Sequence, residues 1–78
     1  MTHLYFHCTG PGEVLVDCQG IDVLDLEEAR DHALSVARSI VEENFGRGDF
    51  SEWIVFVFDE DEDEMLTIPF RAVLPTLH

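Results

Sequence analysis

Residues 59–64 are six consecutive acids, the densest group of reactive side chains in the sequence, and we call them the acidic tip. Carboxylate oxygens are the ligands that Ca²⁺ prefers, but an EF-hand loop also needs glycine at its sixth position and glutamate at its twelfth. Glu64 and Phe70 stand at those two positions. The acidic tip therefore favours a solvated hairpin end that blocks edge-to-edge sheet pairing, with a loose surface cation site as the alternative. A second use of such a tip is to attract a basic protein partner.

Two histidines and two cysteines in the first 18 residues supply the other candidate ligands. His3 and His7 are four positions apart on a predicted strand, a spacing of ~13 Å that is too long for one metal ion. Cys8 and Cys18 share one face of the first predicted hairpin, but they would not lie directly opposite each other, as a disulfide needs. The sequence has no Cys-x-x-Cys motif. We therefore expect free buried thiols and no metal-ligating residues.

The sequence offers few residues in a pattern typical of catalysis. The sequence contains no lysine and no glycine-rich phosphate loop. Ser35, Ser39 and Ser51 have no nucleophile motif around them. Acids are so abundant that a carboxylate pair carries no information about acid–base catalysis. We therefore predict that the protein is not an enzyme and that it has no catalytic residue, no cofactor-binding residue and no cofactor.

Acidic residues outnumber basic ones by 17 to 4, which gives a formal net charge of −13. Binding to nucleic acid or to an anionic membrane surface requires clustered lysine and arginine, so we expect neither partner. The N-terminus lacks the basic start and the apolar core of an export signal, and the longest apolar run, residues 53–58, is too short for a membrane helix. We therefore expect a cytoplasmic protein.

The length of 78 residues predicts a single domain. We expect this domain to span 1–78, with an ordered core at about 3–70 and a loose tail at 71–78. Alternating apolar residues predict two hairpins, with strands at 3–8 and 13–18 in the first and at 51–59 and 65–70 in the second. Between them, Asp25 fits a helix N-cap, and an apolar stripe continues for about 20 residues until Gly46 and Gly48 end it.

The order of these elements, ββαββ, predicts an α+β fold. Two hairpins and one helix form a four-stranded, mostly antiparallel sheet with the helix packed on one face. The third strand carries the most apolar side chains and should therefore be central. We expect the spatial order 2-1-3-4, with strands numbered along the chain.

One helix covers one face of the sheet, whereas alternation makes both faces apolar. We expect the helix to cover ten residues: Leu4, Phe6, Val14, Val16, Ile54, Phe56, Phe58, Leu66, Ile68 and Phe70. Six others then form an uncovered face: Tyr5, Leu15, Trp53, Val55, Val57 and Met65. Apolar surface of this extent marks an interface. We predict a two-fold homodimer through this face or through an edge strand, with an apolar centre and an acidic rim.

Tyr5-Phe6-His7 near the N-terminus, the helix entry Asp25-Leu-Glu-Glu-Ala-Arg30 after Gly20, and Pro69-Phe70 occur together in this order. In this combination the sequence resembles a family of small uncharacterised bacterial proteins, a domain of unknown function. The resemblance spans about residues 3–72 and implies a one-domain cytoplasmic protein with no assigned activity. That family commonly has a glycine in the last hairpin turn, where this sequence has the acidic tip.

Gly20 and Glu27-Glu28-Ala29, which follow a strand hairpin, are also similar to the core of HicB-type antitoxins. This resemblance implies an acidic inhibitor that masks a basic RNA-cleaving toxin, in keeping with the net charge. The aromatic-and-glycine strand pattern of those antitoxins is incomplete here. The sequence therefore predicts a homodimeric protein-interaction module without catalytic activity, with an antitoxin-like inhibitor as the alternative.

Overall fold

The computed structural model describes residues 1–44 and 49–74, which form an α+β fold with one long helix against an antiparallel sheet. Its elements are β1 (Thr2–Gly10), β2 (Glu13–Leu15), β3 (Ile21–Val23), α1 (Leu26–Glu43), β4 (Ile54–Phe58) and β5 (Glu64–Pro69), followed by a 3-10 turn at Phe70–Ala72. The predicted fold class is confirmed. The predicted helix end at Gly46 and Gly48 and residues 75–78 of the predicted tail lie outside the described residues.

The sheet is built around β1, its longest strand. The strands follow the order β2-β1-β4-β5, as predicted, and every pairing is antiparallel. β3 was not predicted, and it pairs with the first half of β1 while β2 pairs with the second half. β2 and β3 therefore lie end to end along one side of β1, and β4 occupies its other side. We call this composite border, residues 13–26, the β2–β3 edge.

Asp17 fills the gap between β2 and β3. Its Oδ2 atom accepts a hydrogen bond from the Phe6 N–H at 3.1 Å, a bond that a strand carbonyl would otherwise make. Its Oδ1 atom accepts from the N–H groups of Gln19 and Gly20, both at 3.0 Å. Partial burial alone would raise the pKa of Asp17, but these backbone N–H groups outweigh it and lower the pKa. The predicted strand at 13–18 therefore ends at Leu15, because a side chain takes over the pairing.

Helix α1 begins where the sequence predicts. Asp25 is its N-cap, with an extended backbone and an Oδ1 atom that accepts from the Glu28 N–H at 2.8 Å. Three alanines at steps of four, Ala29, Ala33 and Ala37, are fully buried against the sheet. Because alanine is small, the helix backbone can approach the sheet closely along this line.

An aromatic cluster closes the end of the core beyond β5. The ring centroids of Trp53 lie 5.4 Å from Phe50 and 5.7 Å from Phe70. The Phe70 N–H also donates to the Trp53 carbonyl at 2.9 Å. Gly10 packs against the Trp53 ring so closely that a methyl group there would overlap it. The chain after β5 is thus fixed as far as the 3-10 turn, although it was predicted to be loose from residue 71.

The face of β4 that packs under the helix is the opposite of the predicted one. Val55 and Val57 are fully buried, and Trp53 is 7% exposed, within the cluster that contains the helix alanines. The prediction that these three residues form an uncovered face is therefore wrong. Small valines fit beneath a closely packed helix better than phenylalanines do. The alternate residues of β4 consequently lie on the other side of the sheet.

Candidate functional site

The side of the sheet away from α1 is uncovered by any other part of the described chain, and we call it the open face. Seven of its members follow from the strand register: Tyr5 opposite Phe58, His7 opposite Phe56, and Thr9 between Ile54 and Val14. All but Val14 are half-buried, because each lies against its neighbours on the sheet. Four of the seven are aromatic or histidine rings, so this face presents flat, apolar surface to the surroundings.

The rings of the open face form a continuous strip. His3 meets Tyr5 edge-on, with ring centroids 5.1 Å apart, and Tyr5 is nearly parallel to His7 at 6.5 Å. The strip continues from His7 to Phe58 at 5.5 Å and from Phe58 to Phe56 at 6.3 Å. Aromatic pairs at such distances attract one another beyond simple burial. These contacts between rings therefore help to hold the strip in place.

The two histidines of this strip are held by hydrogen bonds to the chain after β2. His3 Nδ1 lies 2.8 Å from Asp22 Oδ1, and its Nε2 lies 2.7 Å from the Gln19 carbonyl oxygen. Both oxygens are acceptors, so both contacts are hydrogen bonds when the ring is protonated and donates from both nitrogens. The bond to Asp22, supported by Gln19, raises the pKa of His3 above its ordinary value of 6.5.

His7 is fixed differently, because its Nδ1 accepts a hydrogen bond from the Asp17 N–H at 3.0 Å. In the neutral ring the proton therefore lies on Nε2. Within residues 1–44 and 49–74, no three histidine, cysteine, aspartate or glutamate side chains come together as ligands for a metal ion.

A cleft of about 470 Å³ lies at one end of the open face, where β4 runs into the acidic tip. Three rings and three acids line this cleft: Tyr5, His7, Phe58, Asp59, Glu60 and Glu62. Asp59 is only partly available to a ligand, because its Oδ1 atom already accepts hydrogen bonds from the N–H groups of Asp61 and Asp63 at 2.8 and 2.9 Å. Glu60 and Glu62 are exposed to solvent. We call this the acidic cleft, and it offers aromatic walls beneath a negative rim.

The β2–β3 edge is the second uncovered surface. Seven large apolar side chains of the described residues are exposed, and five of them lie within residues 13–26. Val14 and Leu15 are on β2, Val16 follows it, Leu24 follows β3, and Leu26 is the first residue of α1. Val14 and Val16, which were predicted to lie beneath the helix, are 63% and 64% exposed. Leu15 lies opposite Cys8 on the helix side of the sheet, and Val14 lies opposite Thr9 on the open side. Apolar surface thus wraps around the edge from one side to the other.

The border formed by β5 (Glu64–Pro69), which we call the β5 edge, is different. Pro69 has no N–H to offer to a further strand. The pairing of β4 with β5 shifts in register between Val57 and Phe58, next to Glu64. A bulge, a proline and an acid at a sheet border all discourage the addition of another strand. The predicted role of the acidic tip as a block to edge pairing fits this border.

The six predicted interface residues are thus dispersed. Tyr5 lies on the open face, Leu15 on the β2–β3 edge at 48% exposure, and Met65 on β5 at 37%. Trp53, Val55 and Val57 are in the core. Ile54, Phe56 and Phe58 were predicted to lie beneath the helix, whereas they are half-buried on the open face.

The two cysteines are free, as predicted, but only Cys8 is buried, whereas Cys18 is exposed. Cys18 lies outside the sheet because β2 ends at Leu15. Burial raises the pKa of the Cys8 thiol to about 11. A thiol in that state is a poor nucleophile, since the thiolate is the reactive form.

No helix in residues 1–44 and 49–74 has both the length and the apolar character needed to cross a membrane. A comparison with protein families finds one described as "Domain of unknown function (DUF6894)", whose model matches residues 3–71. No curated protein and no solved structure matches the chain.

Proposed function

The chain belongs to the DUF6894 family, a domain of unknown function, and from that premise we propose that it is a homodimeric protein-interaction module without catalytic activity. One observation carries the proposal: the exposed apolar residues that wrap around the β2–β3 edge. A strand at the edge of a sheet has unpaired backbone N–H and C=O groups, which can pair with a strand of another molecule. We place the contact between the two copies at β2.

A strand from another molecule that pairs beside β2 would cover the exposed side chains on both sides of the sheet at this edge. Val14 and Leu15 project to opposite sides of the sheet, and both are exposed. A molecule packed on the open face would cover Val14 alone, whereas an adjacent strand brings side chains to both sides. Two copies related by a two-fold axis can supply that strand to each other, because such an interface uses the same patch twice.

Charge favours β2 over the open face as the contact between copies. β2 pairs with residues 8–10 of β1, whereas the acidic tip follows Phe58, which pairs with Tyr5 in the first half of β1 and on the other side of that strand. Copies joined at β2 therefore keep their acidic tips apart. A face-to-face dimer would instead enclose the acids of the acidic cleft, and burying unpaired carboxylates is costly.

Three of the four acids of the β2–β3 edge, all but the exposed Glu13, also have partners within the chain. Asp17 accepts from three backbone N–H groups, Asp22 is bound to His3, and Asp25 caps the helix. A second copy at this edge therefore meets fewer carboxylates that still need water.

Sedimentation velocity with two matched variants tests this assignment. We expect a wild-type dimer at tens of micromolar, and Leu15→Glu should raise its dissociation constant by about a hundredfold, because it places a charge at the centre of the contact. Met65→Glu adds the same charge to a side chain of the β5 edge and should leave the dimer intact. A monomeric wild-type protein, or equal loss of dimer in both variants, would contradict the proposed contact.

The absence of catalysis fits the chemistry of the described side chains. His3 uses both ring nitrogens in hydrogen bonds, His7 uses one of its two, and burial keeps the Cys8 thiol protonated at neutral pH. These three groups are therefore less available as a base or a nucleophile.

The second candidate is an antitoxin-like inhibitor that masks a basic RNA-cleaving toxin, and the negative rim of the acidic cleft is the feature that favours it. Co-purification from the native host separates the two functions. A basic ribonuclease recovered in stoichiometric amount supports the inhibitor, whereas recovery of the self-associated chain alone supports the module.

A further inference from the structure

We propose that the acidic cleft binds an arginine-bearing segment of a second, basic protein, with the guanidinium group seated between Tyr5, His7 and Phe58. The inference rests on the proposed role as an interaction module and names the partner chemistry of that module. It does not depend on the dimer contact at β2, since none of the residues that line the acidic cleft belongs to the β2–β3 edge.

The rings of the acidic cleft suit a flat cation. Tyr5 and His7 lie almost parallel, with an interplanar angle of 8°, and Phe58 adjoins His7 at 5.5 Å. A guanidinium group is planar and weakly hydrated, and it stacks on aromatic faces while it donates hydrogen bonds at its edge. Glu60 and Glu62, at the rim of the same cleft, supply acceptors for those edge donors.

Charge complementarity identifies the occupant as a basic protein rather than a second copy. In the described part of the chain, the salt bridge between His3 and Asp22 is the only one, so no arginine there is ion-paired with the acidic tip. Glu60 of the tip is close enough to His3 to contribute to the raised pKa of that histidine. A second copy would bring 17 acids and only 4 basic residues to the same place. A segment rich in arginine meets a surface of opposite sign, which speeds its encounter and selects it over neutral partners.

The rest of the open face extends the acidic cleft into an apolar groove. A neighbouring groove of about 320 Å³ shares His7 and Phe58 with the cleft and continues over Thr9, Val14 and Phe56. An extended segment with apolar residues next to its arginine would therefore contact both. The charge and the shape of this surface therefore fit a partner segment with a cation at one end and apolar side chains along the rest.

An NMR titration of the ¹⁵N-labelled protein with a blocked Arg-Leu-Arg-Leu peptide at physiological salt tests the proposal. We expect saturable shifts at Tyr5, His7 and Phe58, and few at the exposed side of α1. A peptide with citrulline in place of arginine has nearly the same shape without the charge, and its affinity should be about tenfold lower. Equal affinity for the two peptides would overturn the proposal.

Three variants separate the acidic cleft from general attraction to an acidic protein. Phe58→Leu keeps an apolar side chain but removes the ring, Tyr5→Leu does the same on the neighbouring strand, and Glu62→Gln removes one rim charge. Each should weaken arginine-peptide binding by about three- to tenfold. Glu52→Gln removes the same charge just before Trp53, at the end of β4 remote from the acidic tip, and should leave binding unchanged. If Glu52→Gln weakens binding as much as Glu62→Gln does, the proposal fails.

The same titration on the Leu15→Glu variant distinguishes this inference from the dimer. Unchanged peptide affinity in that variant supports the acidic cleft whatever the oligomeric state of the wild-type protein. If the peptide binds the wild-type protein only by dissociating its dimer, the two copies must cover each other's open faces. That result would overturn the assignment of the open face to a basic partner.

Discussion

The β2–β3 edge and the β5 edge border the same sheet, and each owes its character to an aspartate that accepts backbone hydrogen bonds. At the β2–β3 edge, Asp17 reaches back eleven residues to Phe6 and replaces part of a strand. At the β5 edge, Asp59 accepts from Asp61 and Asp63 and shapes only the turn that contains it. One carboxylate joins distant segments, whereas the other organises a local loop.

This difference teaches how an acidic chain can fold with so few cations. Around the β2–β3 edge, carboxylates accept hydrogen bonds from backbone N–H groups and from the ring of His3, so their charge contributes to the fold. In the acidic tip, most of the negative charge points to solvent and is available to a partner. The β2–β3 edge is thus apolar, with acids that stabilise the fold, whereas the acids at the β5 edge are available to attract a partner.

The sharpest test of this contrast compares Asp17→Ala with Asp59→Ala. Loss of Asp17 leaves three N–H groups without their acceptor, one of them on β1, and should lower the free energy of unfolding by about 3 kcal/mol. Loss of Asp59 affects an exposed turn and should cost about 1 kcal/mol. Urea unfolding followed by circular dichroism, at one protein concentration, measures both. Similar losses in the two variants would show that the two edges do not differ in this respect.

A second test addresses the turn that leads from Asp17 into β3. Gly20 has φ +68°, and a methyl group there would lie 2.6 Å from the Leu4 carbonyl oxygen, so Gly20→Ala should cost about 2 kcal/mol. Gly12 has a similar φ of +75° but no atoms within 4 Å of the same position, which makes Gly12→Ala the matched control at about 1 kcal/mol. Equal costs would mean that the close approach to β1 contributes nothing.

The smallest effect concerns His3, whose imidazolium ties β3 to β1. Its folded pKa is raised, so its stabilising contribution is complete below the unfolded value of 6.5 and is lost as pH rises through the folded pKa. We therefore expect wild-type stability to fall slightly as the pH rises above 6.5. Asp22→Asn should flatten that fall, because the neutral amide no longer favours the charged ring. If stability depends on pH in the same way in this variant, the hydrogen bond to Asp22 is not the source of that dependence.

The elements that depend on local signals were predictable from the sequence. Asp25 begins the helix as expected, because an N-cap needs only its own side chain and the amides of the first turn. The strand order followed from the apolar content of β4. β3 was missed because it is three residues long and its position depends on Asp17, whose bond to Phe6 spans a distance that no local pattern encodes.

The open face could not be predicted because both alternations of β4 are apolar. Val55 and Phe56 are adjacent, and hydrophobicity alone favours burying the larger residue. The outcome depends on the fit against Ala33 and its neighbours on the helix, a tertiary property. The acidic cleft was hidden for the same reason, since it requires Phe58 to face away from the helix.

The position of Trp53 determines which optical probe will be informative. The chain has a single tryptophan, and it lies in the core beside Phe50 and Phe70, across the sheet from the open face. Its fluorescence will therefore report melting of the core and remain nearly constant when a ligand occupies the acidic cleft. The emission of Tyr5, the sole tyrosine, is the natural intrinsic signal for that event.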